Sequence, residues 1–418
     1  MAPLMPAGAP RVAVFTDSYY EANGVARTAQ ALEAYAAQKR LPLLLVHGGP
    51  TTQAVETGSV TRLELGRAAW SSFSLEHDLR YDLSLWRHLR RASSVLRHFR
   101  PDVVHMTGPS DVGQIGVRLA RRLGLPLVGA WHTNVHEYAA RRLMPYLNRL
   151  HVPGRARLGT AVERATLSAV LRFYGLSDVI LAPNAEWMTV ARERLGKPAF
   201  HMTRGVDTDT FTPARRSRND QALRIGYVGR LSAEKSVREL ARLERALVAA
   251  GAPRFQIVVV GDGAEREWLR ARLSHGLLTG TLRGAALADA YADFDLFAFP
   301  SVTETVGQVL QEALASGVPV VAMNAGGPKY VLAGAGGALL ADSHDAWVRE
   351  TVALALDPDR RRLLRTAARQ TALARSWSAV FDTVYQAYAT AIARRQAGHW
   401  MDDRHDLATD VAEERAAS

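Results

Sequence analysis

The chain has 418 residues, 48% of them apolar, and 52 Lys and Arg stand against 41 Asp and Glu for a formal charge of +11. That length and apolar content suit two ordinary cores. The absence of cysteine excludes disulfides and thiolate metal sites and permits a reducing compartment.

No stretch reaches the ~18–20 apolar residues of a spanning helix, and the opening MAPLMPAGAPR lacks the apolar core of a secretory signal. A cytoplasmic location is therefore expected. The charge is uneven: residues 1–210 carry 26 basic against 17 acidic side chains, residues 211–418 carry 26 against 24. No nucleic-acid partner is expected, because basic and aromatic residues form no recognisable nucleic-acid module. An anionic membrane surface or an acidic acceptor fits the basic first half better, with an arginine-rich composition as the plain alternative.

In chain order, RVAVFTDSYY reads as a first strand, followed by a turn at Glu21–Gly24 and a helix over VARTAQALEAYAAQKR. Gly24 at that helix start can let backbone approach a phosphate. LPLLLV is a second strand. HLRRASSVLRHF is an amphipathic helix, with Leu85, Leu89, Ala92 and Leu96 on one apolar face, and it leads into the strand PDVVHMT. Near it Trp70, Phe73, Tyr81 and Trp86 lie among Arg67, Arg80, Arg87, Arg90 and Arg91. They read either as a surface lying on a membrane or as the surroundings of an ordinary sheet-packing helix.

GVRLARRLG and PLVGAWHT add another helix and strand, and the strand runs into His132-Thr133-Asn134-Val135-His136-Glu137-Tyr138. A residue just past the C-terminal end of a parallel strand faces the ligand crevice. That marks His132, against the plain reading of a capping histidine; Asn134, His136 and Tyr138 are weaker acceptor-side candidates, and His105 reads as structural. This alternation argues a doubly wound parallel sheet, and a second series from Arg224 to about Met323 argues another.

The second series carries the chemistry. After the strand LRIGYV comes Gly229-Arg230-Leu231-Ser232-Ala233-Glu234-Lys235, which puts Arg230 and Lys235 at the C-terminal edge of a sheet. Two cations there would neutralise a diphosphate, the arginine as a fork and the lysine as a point charge. QIVVVGDG reads as a buried strand and a tight exit turn at Gly261–Gly263, and Gly326-Gly327-Pro328 after PVVAM reads first as a backbone turn.

Between them, FDLFAFP is a core strand stopped by Pro300, and QVLQEALASG has helical spacing closed by Gly317. Glu304 thus sits at a helix N-terminus beside the backbone N–H groups of Thr305, Val306, Gly307 and Gln308, a ready anion site. Glu312 lies roughly 12 Å further along the axis. A sugar, a diphosphate and a ribose laid end to end match that layout, although two glutamates alone are more often solvated acids.

GRLSAEK, GDG, the E-x7-E segment from Glu304 to Glu312, ASGVPVVA and GGP together resemble the nucleotide-binding half of a family 4 (group 1) glycosyltransferase, from about Arg224 to Asp342. The resemblance implies the GT-B fold: two Rossmann-like domains, residues 1–207 and 208–376, with a cleft between them. The linker would fall near Arg204–Asp220, a final helix over 377–395 would brace the first domain, and an acidic tail would occupy 399–418. It implies retaining transfer of a hexose from a nucleotide-diphosphate sugar, GDP-mannose or a UDP-hexose, to a hydroxyl, on a sugar or lipid-linked acceptor.

In that resemblance Gly24 lies near the diphosphate, Arg230 and Lys235 grip it, and Glu304 and His132 bind the donor sugar. Amides near Gly307 hold sugar and phosphate oxygens, and Glu312 binds the ribose. No cofactor and no metal are expected, since no Asp-x-Asp triplet lies near the site. Val306 stands where the family often has an aromatic residue and Lys329 where it often has an acid. The HTN-x-HEY segment and the GGPK turn look most like the branch of GDP-mannose-dependent α-mannosyltransferases and sulfolipid synthase-like enzymes. An epimerase or hydrolase of nucleotide-sugars, or a non-catalytic nucleotide-sugar-binding protein, is the alternative.

Overall fold

A computed structural model of the protein describes residues 8–16, 18–21, 23–76, 79–131, 155–218, 220, 222–304 and 307–398. The chain divides into two compact units, one of residues 1–204 with 380–418 and one of residues 205–379. The expected acidic tail at 399–418 lies outside the described residues.

Unit 1 is built on a sheet of β1 (Val12–Thr16), β2 (Leu43–Gly49), β3 (Gln53–Thr57), β4 (Val60–Gly66), β7 (Val103–Met106), β8 (Leu127–Ala130), β9 (Val179–Ala182) and β10 (Ala199–His201). Their order is β10-β9-β8-β7-β1-β2-β4-β3, and all neighbours are parallel except β3 with β4. The central strands are continuous apolar runs because both faces are covered; every residue of β1 is buried. A separate hairpin of β5 (Ser72–Glu76) and β6 (Leu79–Asp82) follows β4. The strands from β3 to β6 escaped the sequence reading, since β3 is exposed along its whole length and carries no apolar alternation.

The helix α1 (Gly24–Lys39) starts at Asn23, whose side chain accepts from the amides of Val25 and Ala26, and stops at Arg40 in the left-handed region. Helices α2 (Leu89–Phe99) and α3 (Asp111–Arg122) present strongly one-sided apolar faces to the sheet. The last helix of the chain, α13 (Trp377–Gln396), follows a series numbered below. From Val380 onward it belongs to unit 1, where Tyr35 donates to Asp382 at 2.6 Å, Tyr388 Oη lies 2.7 Å from His105 Nδ1, and Arg395 donates to Asp178 at 3.2 Å. His105 is thereby a core side chain of this packing.

Between α3 and α13, α4 (Arg155–Gly175) and α5 (Ala185–Glu193) also belong to unit 1. Unit 2 contains β11 (Leu223–Val228), β12 (Phe255–Val260), β13 (Gly276–Gly280), β14 (Leu296–Phe299), β15 (Val320–Met323) and β16 (Ala338–Ala341), all parallel, in the order β13-β12-β11-β14-β15-β16. Its helices are α6 (Glu239–Ala249), α7 (Arg266–Arg270), α8 (Gly284–Ala292), α9 (Gln308–Ala315), α10 (Gly326–Val331), α11 (His344–Leu356) and α12 (Pro358–Leu373). Among the described residues no helix is long and apolar enough to cross a membrane.

Aromatic side chains fill the unit 2 core: Tyr227, Tyr291, Phe294, Phe297, Phe299 and Trp347 are all nearly inaccessible. Gly226 in β11 is glycine because the Phe294 ring lies where its Cβ would be. Overpacking of this kind costs about 1–3 kcal/mol. Gly226→Ala is therefore expected to lower the urea midpoint of unfolding, followed by tryptophan fluorescence. A variant as stable as the parent would contradict this packing.

Candidate functional site

The loops that follow the strands of unit 2 converge at the C-terminal edge of its sheet, where open parallel sheets take ligands. Gly229–Lys235 follows β11, and its backbone is held by the Gly261-Asp262-Gly263 turn after β12. The Leu231 amide donates to the Asp262 carbonyl at 2.9 Å, and the Glu265 amide donates to the Leu231 carbonyl at 2.9 Å. A Cβ on Gly261 would overlap the Gly229 carbonyl, and one on Gly263 the Leu231 carbonyl. The GDG turn, which in the sequence marks only a strand exit, is thus the bed on which Arg230 is laid. Tyr227 Oη donates to the Arg230 carbonyl at 3.1 Å and fixes it from below.

Lys235 ends a short 3₁₀ turn closed by Ser236 in the left-handed region. Its Nζ donates to Glu304 Oε2 at 2.8 Å, with the two side chains 16% and 23% exposed. Thr303 Oγ1 donates to the Glu234 carbonyl at 2.9 Å, so the two loops are joined twice. Arg230, by contrast, is 72% exposed and reaches only Glu234, at 3.5 Å. Burial, and then the Glu304 charge, pushes the Tyr227 phenol well above its ordinary range.

A partly exposed ion pair adds on the order of 1 kcal/mol or less to stability. That is too little for Lys235 and Glu304 to be explained as a strut. Their exposed oxygens and N–H groups, together with the unengaged face of Arg230, can meet a polar, anionic ligand.

Gly307 caps α9 with φ 68°, and a Cβ there would stand 2.7 Å from Leu310. Glycine is needed for both reasons. Gln308 Nε2 donates to the Gly205 carbonyl at 3.2 Å. Tyr291 Oη donates to Glu312 at 3.1 Å; burial, and then the Glu312 charge, raises that phenol far above normal. Tyr227 and Tyr291 carry no functional signal in the sequence, because each sits on an element whose tyrosine reads as ordinary core.

Gly326, in the left-handed region at φ 55°, makes the backbone turn that the sequence suggested, and Gly327 and Pro328 lead from it into α10. The Gly327 amide donates to the Glu304 carbonyl at 2.6 Å, and a Cβ on Gly326 would stand 2.9 Å from the Glu304 and Val302 carbonyls. The GGP segment thus presses on the loop that carries Glu304.

Arg230, Lys235, Glu304, Gly307, Gln308 and Glu312 therefore all belong to unit 2, on neighbouring loops and the helix that follows them. Thr305 and Val306 lie outside the described residues, as do His132, Asn134, His136 and Tyr138. In unit 1, Gly24 opens α1, but the Arg204 guanidinium occupies the space above it. Burial, and then neighbouring Arg27, lowers the Arg204 pKa. The close approach that glycine allows at position 24 is made here by this side chain.

The Arg67 expected on a membrane-facing surface is a correction: its side chain is 9% exposed and pairs with the buried Asp111 at 3.2 Å. Trp70, Phe73 and Trp86 are exposed, 82%, 46% and 36% respectively, while Tyr81 is half-buried and accepts from Gln114. Ala92, Leu96 and Phe99 of α2 face the core.

The architecture is that of GT-B glycosyltransferases: Anabaena HepE, solved in complex with UDP, matches with a TM-score of 0.58 at 16% identity over 91% of this chain and all of that one. In sequence, a family model described as "Glycosyltransferase Family 4" matches residues 22–210, and one described as "Glycosyl transferases group 1" matches residues 222–357. The "GDP-mannose-dependent alpha-mannosyltransferase" of Mycolicibacterium smegmatis is 37% identical over 317 residues, 73% of this chain and 78% of that protein. The protein of the same description from Mycobacterium tuberculosis is 36% identical over 73% of this chain and 77% of its own length. The chain belongs to the family 4 (group 1) glycosyltransferases.

Lys235→Met is expected to change folding stability by no more than about 1 kcal/mol and to weaken nucleoside-diphosphate binding tenfold or more in calorimetry. A large loss of stability with binding intact would make the pair a strut after all.

Proposed function

We propose that this glycosyltransferase moves mannose from GDP-mannose, with retention at the anomeric carbon and without a metal, to a hydroxyl of a lipid-linked acceptor. The observation that carries the reading is the Lys235–Glu304 pair beside the exposed Arg230, at the head of the helix bearing Glu312. The mycobacterial relatives, described as GDP-mannose-dependent, support the donor.

In this reading Arg230 and Lys235 bind the diphosphate, Glu304 accepts hydrogen bonds from sugar hydroxyls, and Glu312 accepts them from the ribose. Amides near Gly307 hold sugar and phosphate oxygens. The bond from the anomeric carbon to the phosphate oxygen breaks, and the bond to the acceptor oxygen forms on the same face. The acceptor proton ends on the departing phosphate, so no protein nucleophile is invoked. Arg230 and Lys235 stabilise the negative charge that grows on the phosphate while the sugar becomes oxocarbenium-like, and such charge stabilisation is often the largest catalytic contribution.

The acceptor side is proposed as lipid because unit 1 exposes Trp70, Phe73, Leu83 and Trp86 close in sequence to the exposed Arg90 and Arg91. Aromatic rings with arginines suit the headgroup layer of an anionic membrane, and a place on its inner face follows.

Incubation with GDP-mannose and a neutral-plus-anionic lipid extract is expected to give an α-mannosyl product by NMR, at a rate unchanged by EDTA. A β-product would sink retention, loss of activity in EDTA would sink metal independence, and sugar release or isomerisation with no acceptor would favour an epimerase or hydrolase. Trp70→Ser with Phe73→Ser is expected to reduce sedimentation with anionic vesicles several-fold. Unchanged sedimentation would remove the membrane from the account.

A further inference from the structure

Unit 2 has a charged cavity at the edge of its sheet where the strands begin. Asp295 immediately precedes β14, whereas Glu304 follows the other end of the same strand, so the cavity and the candidate donor site lie at opposite edges. The cavity measures about 350 Å³ and is lined by Arg216, Asp295, Pro358, Arg361, Arg362 and Arg365. That volume is within the range of small-molecule sites, roughly 300–1,000 Å³.

Four guanidinium groups face one carboxylate here, and that carboxylate is already shared. Asp295 accepts from Arg216 at 2.7 Å, from Arg218 at 2.5 Å and from the Arg224 amide at 2.9 Å. Arg365 reaches the Phe294 carbonyl at 3.2 Å and stands 3.9 Å from Asp295. Arg361 donates to the Leu354 and Ala355 carbonyls, at 2.8 and 2.5 Å. Arg362 pairs only with Asp359, at 3.1 Å, and both are largely in water.

The carbonyls at the ends of α8 and α11 satisfy some N–H groups and oppose part of the charge. Asp295 attracts both Arg361 and Arg365, and Asp357, which caps α12 by accepting from the Arg360 amide, attracts Arg361, so the two forks are compensated only in part. Burial lowers the pKa of both groups, and for Arg365 the like-charged Arg216 is the next cause. The N-terminal turns of α12, which carry three of the four arginines, add the positive end of a helix dipole. Several guanidinium groups drawn partly out of water around one cavity repel one another until an anion enters, and arginine forks match phosphate oxygens two at a time.

We infer that this arginine-lined cavity binds a small phosphorylated anion with two or more adjacent phosphate groups, at a site separate from the donor site and assigned by no part of the proposed reaction. With Arg218 added to the four lining arginines, and Asp357 and Asp359 to Asp295, five guanidinium groups meet three carboxylates, and that surplus of two positive charges sets the polyphosphate class.

The test is calorimetric titration of inorganic pyrophosphate into the full chain carrying Arg230→Ala and Lys235→Ala, which disables the candidate donor site. One pyrophosphate is expected to bind per chain, more tightly than sulfate at the same ionic strength. Adding Arg362→Glu should weaken it at least tenfold; that side chain is 77% exposed, so the fold is expected to survive, as an unchanged melting temperature would report. Arg365→Lys, which keeps a cation but loses the fork, should weaken it as well. No binding in the donor-disabled chain, binding no tighter than sulfate, or binding indifferent to both Arg362→Glu and Arg365→Lys would each overturn the inference.

Discussion

The contact on which the candidate site depends is the ion pair from Lys235 to Glu304, 2.8 Å long, which closes two loops upon each other at the C-terminal edge of one parallel sheet. By itself it is weak, and its two side chains still touch water. Its position is set by stronger constraints beneath it. Gly261 and Gly263 let one backbone lie directly on another, Tyr227 holds the Arg230 carbonyl, and the first residues of α10 hold the Glu304 carbonyl. The loops that carry the charged side chains are thereby held by backbone, while the exposed Arg230 side chain is left for a ligand to order.

The same economy explains the distribution of charge. Arg230 is left almost unpaired, while Lys235 is shared with the glutamate that would also accept sugar hydroxyls. A diphosphate that takes over Lys235 releases Glu304 for hydroxyl groups, so binding of the two halves of a nucleotide-sugar would be coupled through one proton-rich amine. Glu312 is tied to the core by Tyr291.

Much of this was legible in the sequence because buried parallel strands are continuous apolar runs and their exits are punctuated by glycine. FDLFAFP, QIVVV and PVVAM all fall on observed strands, and Glu304 and Glu312 take up the loop and helix that their spacing implied. What escaped has physical reasons. The edge strand β3 buries too little to show a period. The role of Arg204 above Gly24 joins residues far apart in sequence, and no local pattern announces such a contact. Arg67 reads as a surface cation until its partner Asp111, beyond the hairpin, is seen to bury it. The GGP segment reads as a turn, which Gly326 makes at φ 55°; the short helix after it is hidden because glycine and proline break most helices, although proline is well placed in a first turn.

The central claim is that this edge of unit 2 holds a nucleotide-sugar through Arg230, and that the nucleotide-sugar is GDP-mannose. The most direct measurement is a thermal-shift panel of GDP-mannose, UDP-glucose, UDP-galactose, UDP-sulfoquinovose and ADP-glucose on the parent chain and on Arg230→Ala, since a ligand bound to the native state raises the melting temperature by mass action. The account predicts a shift with GDP-mannose that is lost in Arg230→Ala. A shift with a uridine donor alone, or one that survives in the variant, would contradict it.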